Sequence, residues 1–408
     1  MSRRVVITGV SALSPLGCEL STIEQRLRNK EGGVVLMEEW SEVQGQRTQL
    51  AAPVRDFQKP KHFGRKQTRT MDRVALLATC SSELALQDAG LLEQNDFQNE
   101  MGVAYGSCAG GMKGTSQLGE VETSRSLRSM NATTYVRMMA HTCAANISIH
   151  FQLTGRMIPT CTACTSGSQA VGYAYETIKH GYQTYMLAGG AEELSIAQSG
   201  VFDIMFASST KNDTPKATPR PFDQDRDGLV VGEGATTLVL EEYEHAKARG
   251  AQIYAEIVGF STNSNGVHIT QPHAPTMAQV MKEALIQASL PPEAVGYINA
   301  HATATDLGDI VESQATYEVF GSKVPVSSSK GYTGHTLGAA GALETVLSAM
   351  MMKKDWYAPN LNLEKVDPRC AELDYITGDG RTLHNEYVMN NNFAFGGVNT
   401  SILLKRLS

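Results

Sequence analysis

The stretch Pro159 to Gly181 reads PTCTACTSGSQAVGYAYETIKHG and holds Cys161 and Cys164, two of the chain's seven cysteines. A C-x-x-C pair can be a redox dithiol, half of a zinc site, or one nucleophilic thiol beside a spectator. Cys164 is followed by Thr165, Ser166, Gly167 and Ser168, then by an apolar stripe of Ala170, Val171, Ala174 and Ile178. Small polar residues ahead of such a stripe predict a helix N-terminus. Unpaired backbone N–H groups and the positive end of the helix dipole are expected there to stabilise the Cys164 thiolate and lower its pKa. The same N–H groups could hold a developing oxyanion. Cys161 lies in extended IPTCT and lacks that benefit. A redox motif places its first thiol at the helix start, whereas this helix is expected to begin after the second. A zinc site needs two more ligands, and the sequence has no second C-x-x-C or H-x-H cluster. Two inert, buried thiols are the plain alternative.

The second half of the chain adds partners. His301 follows an apolar strand in YINAHATATDLGD, and His335 follows another in SSSKGYTGHTLGAAGALE, with Lys330 before it. A third strand ends in the glycine turn Phe395-Gly396-Gly397 of NNNFAFGGVN. One histidine at a strand end is most often structural. Two histidines, a lysine and a glycine turn at successive strand ends form a plausible constellation, because open α/β sheets place their chemistry at the carboxyl edge. The slim face Gly338-Ala339-Ala340-Gly341-Ala342 reads as close helix packing.

The elements that must position these residues follow from periodicity. Apolar, β-branched runs at 4–10, 101–107, 184–194, 235–243, 253–260, 295–303, 324–329 and 387–395 predict strands. Helical stripes cover 72–90, 165–180, 276–289, 306–319 and 336–353. Continuous apolar strands alternating with helices imply an α/β sheet covered on both faces. The chain is expected to form one large globule or two similar halves meeting near residue 255.

Composition removes whole classes of function. The 408 residues are 42% hydrophobic and 19% charged, enough for a large core. A net charge of −7 argues against a nucleic-acid or anionic-membrane surface. No apolar run reaches the 18 residues of a spanning helix. Arg3 and Arg4 ahead of VVITGV suggest a signal peptide at first sight, but the apolar run is too short and reads as a first strand. An odd number of scattered cysteines is no disulfide framework, so reduced thiols and a cytoplasmic location are expected.

TACTSG, NAH followed by Thr303 and Thr305, SSSKGYTGHTLGAAGALE and FAFGGVN closely resemble the β-ketoacyl-acyl-carrier-protein synthases, nearest to the elongating type II enzymes. RRVVITGVSALSPLG, PRPFDQDRDGLVVGEGA (219–235) and LVLEEYEHAKARGAQIYAEIVGF (238–260) extend the resemblance over essentially the whole chain. The resemblance implies a thiolase-like α/β fold with two related βαβαβαββ halves, 1–255 and 256–408, in a five-layer αβαβα arrangement. It implies decarboxylative Claisen condensation of an acyl chain held on Cys164 with malonyl-acyl-carrier protein. His301 and His335 would steady the enolate, and backbone N–H groups of Cys164 and Phe395 the tetrahedral oxyanion. Lys330 and Glu344 would orient the histidines. Thr303 and Thr305 would hold the pantetheine amides, His268 and Thr270 would flank that arm's path, Phe393 and Phe395 would gate the acyl pocket, and Ala109 would line its deep end. No metal or cofactor is implied beyond the carrier's phosphopantetheine arm, and the expected partners are acyl-carrier protein and a second, identical or similar, subunit. The chain departs from the family pattern at Ala302, Asp306 and Ala394, where glycine, proline and glycine are usual. Specialised aryl-polyene and polyketide systems share this scaffold, some with a chain-length partner that lacks the nucleophile.

Overall fold

The computed structural model of the chain describes residues 2–94 and 97–407. Five strands come from its first part: β1 (Val5–Leu13), β2 (Met101–Gly106), β3 (Met157–Thr160), β4 (Tyr185–Glu192) and β5 (Gly234–Glu242). Five more follow: β6 (Ala255–Ser264), β7 (Val295–Asn299), β8 (Pro325–Ser327), β9 (Tyr387–Phe393) and β10 (Val398–Lys405). The first set is ordered β3-β2-β4-β5-β1 and the second β8-β7-β9-β10-β6. In each set four strands share one direction and one runs against them, at the same place in the order: β1–β5 and β5–β4 are antiparallel, as are β6–β10 and β10–β9. The remaining pairs β4–β2, β2–β3, β9–β7 and β7–β8 are parallel. The two sets therefore share one topology. A three-pair antiparallel ladder, Val5 to Ile7 against Ile257 to Ala255, joins them. The short strand Asp374–Tyr375 extends the far edge beyond β8.

Among the helices that dress this framework are α1 (Arg73–Asp88), α2 (Thr142–Phe151), α3 (Ser166–Lys179), α4 (Ile196–Ile204), α5 (Ala274–Ala288), α6 (Asp306–Phe320) and α7 (Ala340–Lys353). Helix α3 packs on β2 and β4 of one set and reaches β6 and β10 of the other; α7 packs on β9 and reaches β4 and β5. These two helices form the middle of five layers, with α1 and α2 outside one sheet and α5 and α6 outside the other. Every residue from Ala340 to Met352 is buried, as a helix covered on all sides requires. The glycines permit that burial. A Cβ on Gly341 would lie 2.6 Å from Ser168, and one on Gly190 would lie 2.2 Å from the Gly338 carbonyl. The Gly/Ala face is thus a packing surface between the two central helices and β4.

The predicted strands and helices are found within a few residues, with informative exceptions. The strand expected over 295–303 stops at Asn299, and His301 stands in the loop beyond it. The last helix begins at Ala340 rather than 336, because Leu337–Ala339 forms a 3-10 turn first. Strand β10 and helices α2 and α4 had no counterpart among the predicted elements. Strand β10 carries polar Asn399, Thr400 and Ser401 directly after Val398, all three buried with cross-strand and side-chain hydrogen bonds.

Candidate active site

Cys164 sits in the middle of the 3-10 turn Ala163–Thr165, two residues ahead of α3. The turn is braced locally: Ser166 Oγ donates to the Ala163 carbonyl at 2.7 Å and accepts the Thr162 N–H at 2.9 Å. Ala163 adopts φ +50°, a left-handed conformation uncommon outside glycine and concentrated at functional sites. That twist turns Cys164 inward, leaving it only 7% exposed.

Facing the thiol is His335, whose Nε2 lies 2.9 Å from Sγ. Its backbone is locked to the preceding GLVVG segment: His335 N–H donates to Val230 O at 2.7 Å, and Gly232 N–H to His335 O at 2.8 Å. The His301 ring crosses that of His335 nearly at right angles, with centroids 5.2 Å apart. The donor atoms of Cys164, His301 and His335 all lie within 4.8 Å of one another. They open onto a cavity of about 310 Å³. Thr270, Thr303, Thr305, Phe393, Ala394 and Phe395 are among its lining residues. The Thr303 and Thr305 hydroxyls are 3.0 Å apart.

Behind the histidines lies a buried polar layer. Lys330 Nζ contacts Glu344 Oε1, and Glu344 Oε2 accepts from Asn392 Nδ2 at 2.6 Å. The same Asn392 nitrogen is 3.4 Å from His301 Nδ1. Neither Lys330 nor Glu344 reaches the cavity; both act one layer back. The loop bearing His301 is clamped from α6. Glu312 accepts the N–H groups of His301 and Ala302, each at 2.7 Å, and Asp309 accepts that of Ala304 at 3.0 Å.

The electrostatics correct one expectation. The Cys164 thiol is pushed up, to about 12, because burial outweighs the Lys330 charge and the backbone N–H groups of Cys164 and Phe395 that favour the thiolate. The helix-start effect is present but loses to desolvation. Burial and the Lys330 charge also hold both histidines well below the usual imidazole range, so each is neutral at pH 7. Burial pushes Glu312 up to about 8 and Asp309 up to about 6, against the backbone N–H groups they accept.

Other sequence candidates fall elsewhere. The Cys161 thiol is exposed and donates to the Cys108 carbonyl at 3.2 Å, and it is not among the donor atoms that gather with Cys164. The donors gathered for a soft cation are instead Cys164, His301 and His335, and Lys330 sets a positive charge against one. His268 is exposed, and its Nδ1 accepts N–H groups of Thr270 and Gln271, both at 3.1 Å, which caps its own loop. Ala109 is half-buried in a loop anchored by Cys108 N–H to Glu192 at 2.7 Å and does not line the cavity. Asp306 opens α6 and lines the mouth, with Arg369 2.6 Å from its carboxylate. The Phe395 turn is tied to the loop at 265–272 by Gly396 N–H to Ile269 O at 2.7 Å. Gly396 and Gly397, at φ +85° and +76°, supply the turn. Asn392, Glu312 and Asp309 escaped the sequence reading. Their signal was the placement of polar groups at buried positions: two carboxylates three apart on one helix, and three asparagines ending an apolar strand.

A duplicated five-layer α/β fold with a buried thiol and two neutral histidines at its centre defines a thiolase-like condensing enzyme. Residues 2–246 match the family described as Beta-ketoacyl synthase, N-terminal domain, and residues 254–364 match Beta-ketoacyl synthase, C-terminal domain. The chain belongs to the β-ketoacyl synthase family and is an acyltransferase of the ketosynthase type. The 3-oxoacyl-(acyl-carrier-protein) synthase 2 of Coxiella burnetii is 38% identical over 411 residues, covering 99% of each chain. A solved beta-ketoacyl synthase from Burkholderia phymatum is 54% identical, with a TM-score of 0.98 over 100% of both chains. The ishigamide ketosynthase/chain length factor structure is 27% identical, with a TM-score of 0.90 and the same coverage.

Proposed function

We propose that the chain condenses an acyl group held on Cys164 with a malonyl unit on acyl-carrier protein, releasing CO2 and a 3-oxoacyl carrier. The observation that carries this reading is the meeting of Cys164 Sγ with His335 Nε2, at 2.9 Å, and with His301 on one cavity wall.

In the first step Cys164 Sγ attacks the acyl thioester of the carrier arm. Its proton passes to the departing pantetheine sulfur, a transfer suited to a thiol that is not ionised beforehand. The malonyl thioester then loses CO2, and the electrons of that bond become an enolate. Neutral His301 and His335 offer Nε2–H groups to the enolate oxygen. The enolate carbon attacks the acyl-Cys carbonyl. The backbone N–H groups of Cys164 and Phe395 hold the oxyanion, and collapse expels the Cys164 sulfur as a thiolate, which takes up one proton from solvent. Thr303 and Thr305 supply hydroxyls along the cavity for the amides of the arm, and Phe393 and Phe395 bound the acyl side. The reaction draws on side chains and backbone groups, with phosphopantetheine as the substrate's own carrier.

The chain works as a dimer in this reading. Strand β3 is an edge strand whose outer hydrogen-bonding groups are unpaired within the sheet. Leu127, Tyr135, Ile149 and Met157 are exposed; the last three belong to β3 and the helical segments before it. A second copy or a similar chain would cover them, and the presence of Cys164 makes this chain the catalytic member of either pairing. The acyl chain comes from fatty-acid elongation or from a polyene or polyketide system.

The deciding experiment is peptide mapping after incubation with acyl-carrier. The acyl mass is expected on the peptide bearing Cys164 and to be lost in Cys164→Ala but kept in Cys161→Ala. These two thiols share one tryptic region, so fragmentation must place the group. An adduct on Cys161 alone would overturn the assignment.

A further inference from the structure

His301 can offer an Nε2–H to the cavity only while its Nδ1 carries no proton, and in a buried ring that choice is set by what faces Nδ1. The group there is the Asn392 amide, 3.4 Å away. Its orientation is fixed from two sides. Glu344 Oε2, a carboxylate oxygen paired through its group to Lys330, must receive an N–H, and it lies 2.6 Å from Asn392 Nδ2. On the other side Asn390 Nδ2, which also reaches Thr345 Oγ1 at 3.1 Å and Gly341 O at 3.2 Å, lies 3.3 Å from Asn392 Oδ1, a place that suits an oxygen and not a second amide NH2. The second hydrogen on Asn392 Nδ2 is therefore the one presented to His301 Nδ1, which must accept it. The asparagine cannot easily turn away: it is fully buried, and β9 pairs it with Thr400 of β10.

We propose that Asn392 is a positioning residue that holds His301 as its Nε2–H tautomer and ties that choice to the Lys330–Glu344 pair. His335 has no such device, since its Nδ1 has no hydrogen-bond partner among the described residues. The inference rests on the reading of His301 as a donor to the enolate oxygen only for its consequence, not for the tautomer itself.

The test is nitrogen NMR of the full chain labelled with 15N-histidine, with the His301 signals identified by their loss in His301→Gln. The expected wild-type spectrum shows Nε2 protonated and Nδ1 bare. In Asn392→Asp the new carboxyl group shares a proton with Glu344, 2.6 Å away, and keeps no hydrogen for His301, so Nδ1 should acquire the proton. Malonyl-carrier decarboxylation should then fall about 100-fold, as for loss of one oxyanion donor, while acylation of Cys164 is retained. A protonated Nδ1 in the wild type, or an unchanged tautomer in Asn392→Asp, overturns the proposal. If the variant does not fold, the wild-type spectrum alone decides. A reversed tautomer with undiminished decarboxylation would uphold Asn392 and remove His301 from the enolate step.

Discussion

At the scale of single residues, the three groups that meet at the cavity, Cys164, His301 and His335, are neutral, with the Lys330 charge one layer behind. Cys164 lies at the start of α3, yet the Sγ environment is dry enough that its pKa is about 12. The sequence showed the helix start plainly, through Thr165 to Ser168 and the stripe behind them. It could not show the burial, which comes from His335, the Phe395 turn, α7, β9 and β10, all distant in the chain. The balance of desolvation against N–H donors is a property of the assembled site. A thiol raised in this way has a thiolate fraction that grows about tenfold per pH unit at neutral pH. In a Cys161→Ala background, iodoacetamide labelling of Cys164 should keep rising from pH 6 to pH 8.5. A plateau reached below pH 7.5 would mean that the helix end and Lys330 outweigh burial. The histidines titrate in the other direction. Their folded pKa values lie below the ordinary value of 6.5, so lowering the pH from 8 to 7 leaves both as neutral donors.

At the scale of elements, the catalytic histidines stand on loops that other elements hold. His301 was legible because an apolar strand precedes it, but the strand ends at Asn299 and the loop is secured by α6. Glu312 accepts two N–H groups there, and Asp309 a third. A sequence reading assigns such carboxylates to a solvated face, since acidic residues are rarely buried without partners. Here the partners are backbone N–H groups of the next loop upstream, which no periodicity reveals. Glu312→Ala would leave the N–H groups of His301 and Ala302 unpaired, at a cost of about 1–3 kcal/mol each if no water reaches them. The expected result is a lower Tm together with a larger loss in decarboxylation than in Cys164 acylation, because the displaced group is His301. Equal losses in both steps would indicate general unfolding rather than a local shift.

For the whole molecule, the repeated strand order places α3 and α7 back to back between the two sheets, and so brings a thiol from one set beside histidines from the other. Alternating strands and helices made the α/β class readable, and the motif resemblance supplied the layering. What periodicity alone could not give was the crossing of β1 and β6, a ladder of three residue pairs whose sequences carry no signature of the contact. The exposed apolar side chains Tyr135, Ile149 and Met157, beside an unpaired edge strand, predict association. Light scattering at micromolar concentration should give twice the chain mass, and charged substitutions at Ile149 and Met157 should shift the population toward monomer; a monodisperse wild-type monomer would contradict the dimer. The most direct test of the central claim is the complete reaction. The purified protein is mixed with acyl-carrier and malonyl-carrier, and both CO2 and carrier-bound products are measured. The account predicts one CO2 per 3-oxoacyl carrier formed, with a chain two carbons longer than the donor's, and no such product from Cys164→Ala. Elongation that persists without the Cys164 thiol, or none from the wild-type protein across short and long donors, would contradict it.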